Sequence, residues 1–450
     1  MHIKTRKVLD RTFTGVGAFS ILLMGAVLVI LLGPIIWRGS QAYIFKGTIE
    51  FRKMAYEEFQ RGSTTELEKE LAEVRSARAP VYRMIEEFDA QLDAMKARER
   101  RAYKSDFRDV KEKLSELLGP FPGEATPILI RQQYGATRRN RAREKLHEVL
   151  YKEDWVPNPD DPSGVYIQDF VPRVDTFKGT ALEPMFGYLE TNFDAVMQPR
   201  WTFYWQFIKD KSIDSHIFGG IGPEVLGTLY LTLGAILFAV PMGIIAAIYL
   251  CEYARPSRMI DLLRTCISTL AGVPSIVFGL FGLAFFLNTI HVSDSKSVLA
   301  GSLTLSLMIL PTVIRASEEA ILAVPRAYKE AAFGLGAGRW YTITKVILPA
   351  ALPGILTGVV ISMGRAAGET APIIFTAAVS LGEAPKIWQV FSQPTPALPW
   401  NIYNLSTEHE AVHEIRHVQF GMVLTLVALV LLMNLFAVIM RARISKKLKG

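Results

Sequence analysis

The sequence predicts an all-α membrane protein in which six apolar helices are interrupted, between the first and the second, by one large polar and mostly helical insertion. Three observations predict it. Hydrophobic residues make up 50% of the 450 positions but are gathered into a few long runs, the basic residues cluster at the ends of those runs, and one charged stretch carries apolar residues at coiled-coil spacing.

An apolar run of about 20 residues crosses a hydrocarbon layer of roughly 30 Å as a helix. Six runs qualify, at 14–37, 225–251, 262–290, 298–316, 351–379 and 420–440. The first follows a basic segment, but its length exceeds the roughly 7 to 15 apolar residues of a signal peptide, so it reads as an uncleaved anchor. Orientation follows from Lys and Arg, which are retained on the cytoplasmic side. Lys4, Arg6, Lys7 and Arg11 precede the first run, and Arg441, Arg443, Lys446, Lys447 and Lys449 follow the last with no acidic residue among them. Both ends are therefore expected inside. Six crossings then put Arg255 and Arg258, and the longer loop with Arg326, Lys329, Arg339 and Lys345, on the same side. Asp294 and the Glu-rich segment 381–417 fall outside. Charge and parity agree, so the net charge of +7 reads as a topology signal and implies no nucleic acid. Cys251 and Cys266 lie near the cytoplasmic ends of adjacent spans, where thiols stay reduced, and imply no disulfide.

The insertion covers 38–222 and falls outside by parity. Leu67, Leu71, Val74, Val81, Ile85, Phe88, Leu92 and Met95 follow a 4-3 spacing, which Phe107, Val110, Leu114 and Leu117 resume after a one-residue slip. Arg78 and Glu99 occupy seam positions and Pro80 should bend or break the first helix, so the pattern predicts a short packed hairpin with coiled-coil character. Beyond Gly119, Pro and Gly become frequent. The aromatic segment with Trp201, Phe203, Tyr204, Trp205 and Phe207 is expected at the outer membrane surface, where such rings prefer to sit. Composition alone fits a solvated spacer with no specific binding equally well. The chain thus divides into a tail and first helix at 1–37, the insertion at 38–222, a core of five helices at 223–441 with a cytoplasmic loop at 316–350, and a basic tail at 442–450.

That loop reads Glu330-Ala331-Ala332, three residues, Gly336, nine residues, then Val346-Ile347-Leu348-Pro349. It resembles the EAA signature of binding-protein-dependent ABC importer permeases, with Val346 where Ile is commoner. The resemblance implies a type I importer permease fold and a coupling helix that docks on an ATP-hydrolysing subunit through Glu330, Ala331, Ala332, Gly336, Leu348 and Pro349. Small residues at such a turn also permit close approach of a partner surface.

Downstream, Gly364-Arg365-Ala366-Ala367-Gly368-Glu369-Thr370-Ala371-Pro372 resembles the fifth-span signature of phosphate-transport permeases, its end closer to the PstA type than to the PstC type. Similarity extends through Arg315-Ala316-Ser317-Glu318-Glu319-Ala320, Val324-Pro325-Arg326, Pro349-Ala350-Ala351-Leu352-Pro353-Gly354 and Pro396-Ala397-Leu398-Pro399. It covers the first span and most of the chain from about residue 220 onward, and departs from the family in the long insertion. The resemblance implies an inner-membrane permease subunit working with a PstC-type permease, a PstB-type ATPase dimer and a periplasmic phosphate-binding protein, with phosphate as substrate. No Gly-x-x-x-x-Gly-Lys-Ser/Thr run occurs, so ATP would be bound by the partner, and no cofactor or catalytic role is expected of this chain.

Arg365 and Glu369 are expected near the middle of the fifth span, where an ionisable side chain costs roughly 2.5–3.5 kcal/mol on insertion scales. At i and i+4 they would share a helix face. Either they form a packing ion pair, or Arg365 offers a forked donor to a phosphate oxygen while Glu369 holds or gates it, with Thr370 beside them on the pathway. Glycines at 354, 358, 364 and 368 give the small-xxx-small spacing of a helix interface and fit a subunit contact. Two other classes stand as alternatives: a permease for another oxyanion or a secondary transporter, and, more remotely, a membrane metalloprotease. The last rests on HExxH matches at His409-Glu410-Ala411-Val412-His413 and His413-Glu414-Ile415-Arg416-His417. A zinc hydrolase needs a third protein ligand, and no Asp, Glu or His follows His417; an upstream ligand stays open, but the stretch lies just outside the last span and suits a solvated amphipathic helix, so no metal site is expected.

Overall fold

The computed structural model describes residues 3–122, 136–157, 166–409, 412 and 414–449, with side chains from 12 to 446. The chain forms two compact units, one of Met1–Ala42 with Gln206–Gly450, the other of Tyr43–Trp205. The first opens with helix α1 (Ile3–Ser40), whose apolar stretch Thr12–Ser40 is long enough to cross a membrane and is exposed along its length. Only its end packs: Gly39 lies so close to Phe420 and Leu424 that a Cβ would fall 2.7 Å from each, and the Arg38 guanidinium sits 5.1 Å from the Phe420 ring centre.

The second unit begins with strand β1 (Ile44–Gly47) and helices α2 (Ile49–Phe59), α3 (Thr64–Ala94) and α4 (Ala97–Leu118). Helix α5 (Arg139–Leu150) leads into the antiparallel hairpin of β2 (Tyr151–Pro157) and β3 (Tyr166–Pro172). Helices α6 (Glu183–Thr191) and α7 (Phe193–Met197) then precede β4 (Arg200–Phe203), which pairs antiparallel with β1. The heptad residues do turn inward: Val74, Val81, Ile85, Phe88 and Leu92 of α3 and Phe107, Val110, Leu114 and Leu117 of α4 are buried. They are not the seam of a free two-helix rod. Phe88 meets Phe107 edge-on at 4.8 Å and Phe177 at 5.5 Å, and Leu146, Met185, Leu189 and Val196 complete one core with them.

Two expectations for α3 and α4 need correction. Pro80 does not break the helix, which runs through it to Ala94. A proline opens the hydrogen-bond ladder just before it, and here the Tyr188 hydroxyl donates to the Ala77 carbonyl at 2.8 Å, serving the loosened turn from another helix. Glu99 is exposed in the first turn of α4, not in the seam. Arg78 is buried as expected, but as the centre of a polar knot: it donates to the carbonyls of Leu118 (2.7 Å) and Val196 (3.2 Å) and pairs with Glu50 at 3.1 Å. Arg138, also buried, stacks 3.6 Å from the Phe45 ring centre. Burial pushes its pKa down to about 9, so the guanidinium is still charged at neutral pH and the contact is a cation–π one.

The first unit resumes with the short antiparallel ribbon β5 (Ser212–Ile213) and β6 (Phe218–Gly219), then the long helix α8 (Gly222–Ile248), which closes on a π-helical turn, Tyr249–Tyr253. Helices α9 (Arg258–Leu270) and α10 (Ser275–Gly282) follow, then α11 (Val298–Leu322), α12 (Arg326–Gly334), α13 (Arg339–Thr342), α14 (Leu348–Gly368) and α15 (Ala371–Thr376). Strands β7 (Ala378–Val379) and β8 (Thr395–Pro396) pair in parallel, and α16 (Leu398–Thr407) and α17 (Arg416–Lys449) end the chain. Ser257 and Ser297 cap α9 and α11, their hydroxyls accepting from Ile260 N (3.4 Å) and Ala300 N (3.1 Å).

Among the described residues five helices or helix runs are long and apolar enough to cross a membrane, and a sixth crossing exists if α9 and α10 count as one broken span. The third and fifth runs are therefore not the straight helices expected. The third bends by 101° between Leu270 and Ser275, where Gly272 and Pro274 interrupt the ladder. The fifth extends from Arg339 to Gly368 and stops there: Glu369 takes extended backbone, and a new short helix starts at Ala371 with Pro372 in its first turn, where proline is tolerated. At the heart of the unit α8, α11 and α14 pack closely through small residues. A Cβ on Gly243 would lie 2.6 Å from Val313, and on Gly358 2.2 Å from Ala316. Gly354 and Gly358 thus serve packing within the chain, on Ala320 and Ala316, and not the subunit contact their spacing suggested. Gly364 faces α17, and Gly368 has open space.

Candidate functional site

The residues 364–372 sit where α14 ends. Arg365 is in its last turn, and Glu369, expected one turn further along the same helix, instead follows the helix with extended backbone (φ −81°, ψ 129°). The two still meet: Arg365 Nε lies 3.6 Å from Glu369 Oε1, with side chains 36% and 23% exposed. Among the described residues Glu369 is the only acidic partner of Arg365, so the guanidinium keeps donors free. Thr370 is half-buried at the start of α15, its carbonyl accepting from the amides of Ile373 (3.2 Å) and Ile374 (3.3 Å) and its hydroxyl making no capping bond.

Helix α15 is short but firmly held, and this fixes where Glu369 and Thr370 stand. It packs on α10, where a Cβ on Gly279 would lie 3.0 Å from Ala371 O and Pro372 Cα. Lys296 donates to the carbonyls of Ile374 (2.7 Å) and Ala378 (3.4 Å), placing a cation at the helix C-terminus, where it is favoured. Thr376 O accepts from Ser297 N at 2.9 Å. The two helices joined to this unit by breaks, α10 and α15, therefore brace each other beside the Arg365–Glu369 pair.

The candidate coupling residues lie together in the loop between α11 and α14. Glu330 and Ala331 are exposed on α12, Ala332 is buried, and Gly336 is in the turn with φ +81°. Its amide donates to Phe333 O at 2.9 Å, and Ala337 N to Ala332 O at 3.0 Å. Leu348 and Pro349 are half-buried at the start of α14, behind Ile343 and Ile347, which pack on Ala247 and Ile321. The loop is tied to the end of α8 by Lys329, whose ammonium pairs with the nearly buried Glu252, and by Arg339, 5.2 Å from the Tyr253 ring centre. Its free face shows Tyr328, Phe333, Leu335, Trp340 and Tyr341, with Leu335 89% exposed.

Two charged clusters escaped sequence reasoning. Glu318 of α11, 7% exposed, is bracketed by Arg264 (3.0 Å) and Arg315 (3.5 Å), and Arg315 also meets Ser268. The i,i+3 spacing of Arg315 and Glu318 at the end of an apolar run was the available signal. Elsewhere His216 Nε2 lies 2.8 Å from Glu224 Oε1, and Asn401 Nδ2 donates to the same oxygen (3.1 Å) and to Ser380 O (3.0 Å). Asn401 is more than 170 positions from Glu224, and no pattern joins them.

Of the HExxH residues, Glu410, Ala411 and His413 lie outside the described residues. His409 Nε2 lies 2.7 Å from Ser215 O, and among the described residues no three His, Cys, Asp or Glu side chains are grouped to hold a metal. Cys251 and Cys266 are free thiols.

Residues 239–450 match the family described as the binding-protein-dependent transport system inner membrane component. The probable ABC transporter permease protein YqgI of Bacillus subtilis (strain 168) is 34% identical over 255 residues, covering 54% of this chain and 85% of that protein. The phosphate transport system permease protein PstA 1 of Mycobacterium tuberculosis (strain CDC 1551 / Oshkosh) is 37% identical over 224 residues, covering 50% of this chain and 71% of that protein. Among solved structures, an inward-facing conformation of the MetNI methionine ABC transporter is similar at a TM-score of 0.38 and 16% identity over 50% of this chain and 94% of that one, too loose a likeness to carry an argument.

Proposed function

Since the chain belongs to the inner-membrane component family of binding-protein-dependent transport systems, the permeases of ABC importers, we propose that it is the PstA-type permease subunit of an ATP-driven phosphate importer. The observation that carries the substrate is Arg365: a guanidinium at the end of a membrane-length helix, with one acidic partner 3.6 Å away and donors to spare. A planar fork of N–H donors suits a tetrahedral oxyanion, and a carboxylate at that distance is a competitor that phosphate can displace. Glu369 holds the guanidinium between passages, and Thr370 offers its hydroxyl beside them. A PstC-type permease completes the pathway, a PstB-type ATPase dimer hydrolyses ATP, and a periplasmic binding protein delivers phosphate.

The loop bearing Glu330, Ala331, Ala332 and Gly336 is the coupling element, and its exposed aromatic and aliphatic face is what the ATPase grips. Closure of the ATPase dimer on ATP shifts the permease pair between outward and inward access, a population shift set by the partner's differential affinity for the two states. The distribution of Lys and Arg supports placing both termini on the cytoplasmic side of the inner membrane. Co-purification with the ATPase, followed by reconstitution in liposomes, tests the reading. ATP hydrolysis and uptake that both depend on phosphate and on the binding protein are expected; uptake that proceeds without the ATPase would place the chain among secondary transporters.

A further inference from the structure

The ribbon of β1 and β4 turns one face, with Phe45 and Thr202, toward its own unit and presents a largely apolar face outward. Phe45 points into the core of the Tyr43–Trp205 unit, where it meets Phe51 edge-on at 5.0 Å. On the other face Ile44 stands opposite Phe203 and Lys46 opposite Trp201. There Trp201 is 73%, Phe203 66% and Ile44 52% exposed, although each is among the most costly side chains to leave in water. The five-ring segment is thus divided: Tyr204 and Phe207 are buried, while Trp201, Phe203 and Trp205 are not. A two-stranded ribbon with one wet face normally turns its polar residues to water. Here β4 alternates, but its apolar residues Trp201 and Phe203 are the exposed ones and Thr202 is on the other face.

Chain connectivity indicates what covers it. Three residues separate the end of α1 at Ser40 from Ile44, at most about 14 Å of chain from one to the other. The membrane-length stretch of α1 is 29 residues, about 43 Å at 1.5 Å per residue, so its last turns already extend beyond a hydrocarbon core of about 30 Å into the headgroup layer. Aromatic rings concentrate in that layer, and a lysine beside them places its stem against the apolar surface and its ammonium among phosphates. Lys46 has this arrangement, with Nζ 5.2 Å from the Trp201 ring centre.

We propose that the Ile44–Lys46–Trp201–Phe203 face is a membrane-interface platform: it lies on the phospholipid headgroups of the leaflet from which the insertion emerges, with Lys46 serving a headgroup phosphate. The paired first and last strands of the insertion are thereby anchored to the bilayer as well as to the spans.

The full-length protein in lipid nanodiscs tests this. With Cys251 and Cys266 replaced by alanine, a nitroxide on Phe203→Cys is compared with one on Thr65→Cys, an exposed position at the start of α3. The expected result is a ratio of oxygen to nickel-chelate collisions several-fold higher at 203 than at 65. Equal ratios would mean that the face is in water, and a label shielded from both reagents would mean that protein covers it; either overturns the proposal. An unlabelled pair guards against disturbance by the cysteine. Brominated lipids should quench part of the tryptophan emission of the native chain, the exposed Trp37 of α1 included, and the quenched part should shrink in Trp201→Phe. Identical quenching in the two proteins would contradict the platform.

Discussion

His216 Nε2 and Glu224 Oε1 share a hydrogen bond of 2.8 Å with both side chains about 2% exposed, joining the β5–β6 ribbon to the first turn of α8. Asn401 ties the same carboxylate to α16. A carboxylate is favoured at a helix N-terminus, but a buried one needs its partners. His216→Leu, which leaves Glu224 with one neutral donor, is expected to cost about 3–5 kcal/mol. Glu224→Gln, which keeps hydrogen bonding without the charge, should cost less. Thermal unfolding in detergent, read by the exposure of free thiols, checks the order; a milder His216 variant would contradict it.

Gly336 holds φ +81° while a Cβ there would meet nothing within 4 Å, so its constraint is conformational and not steric. Asn enters left-handed backbone readily and β-branched residues do not. Gly336→Asn should therefore keep most transport. Gly336→Val should distort the turn by about 1–2 kcal/mol and uncouple ATP hydrolysis from uptake while the protein stays inserted. Wild-type coupling in Gly336→Val would count against the loop as the coupling element.

The insertion begins and ends at one place. Tyr204 N donates to Tyr43 O at 2.7 Å, and Ile44 is paired with Phe203, so a short turn can close the chain where 160 residues are removed. Replacing 44–203 with Asn-Gly is expected to leave insertion and assembly of the remaining unit intact. Loss of binding-protein affinity in that variant would show that the insertion docks the binding protein; unchanged affinity and uptake would leave it a spacer. Failure to assemble would show that the remaining unit needs the insertion.

Much of this architecture is legible in the sequence because its strongest signals are local. Hydrophobic length gave the crossings, and 4-3 spacing gave the buried faces of α3 and α4. What was missed depends on tertiary partners. Pro80 remains helical because Tyr188 reaches Ala77 from a segment more than a hundred positions away. Arg78 reads as a flaw in an apolar seam until Glu50 and two distant carbonyls surround it. The bend between α9 and α10 was marked by Gly272 and Pro274, and the start of a new helix after α14 by Pro372, yet an apolar run of membrane length outweighed those signals in the reading. For the candidate site, Arg365 and Glu369 were legible as costly charges in an apolar run, whereas their arrangement across a helix end was not. The Glu318 and Glu224 clusters are completed by Arg264 and Asn401 from other helices, which spacing along one segment cannot reveal.

The central claim is that Arg365 handles the anion and is not merely half of a packing pair. Phosphate uptake into proteoliposomes, in preparations shown to contain the intact complex, measures it most directly. Arg365→Gln is expected to abolish uptake with near-normal assembly, and Arg365→Lys, which keeps the charge but loses the planar fork, to retain only a part. Arg365→Gln combined with Glu369→Gln should be as inactive as the single variant, because removing the competitor does not restore the donor. Full transport by that double neutral protein would contradict the account and reduce the 3.6 Å pair to packing.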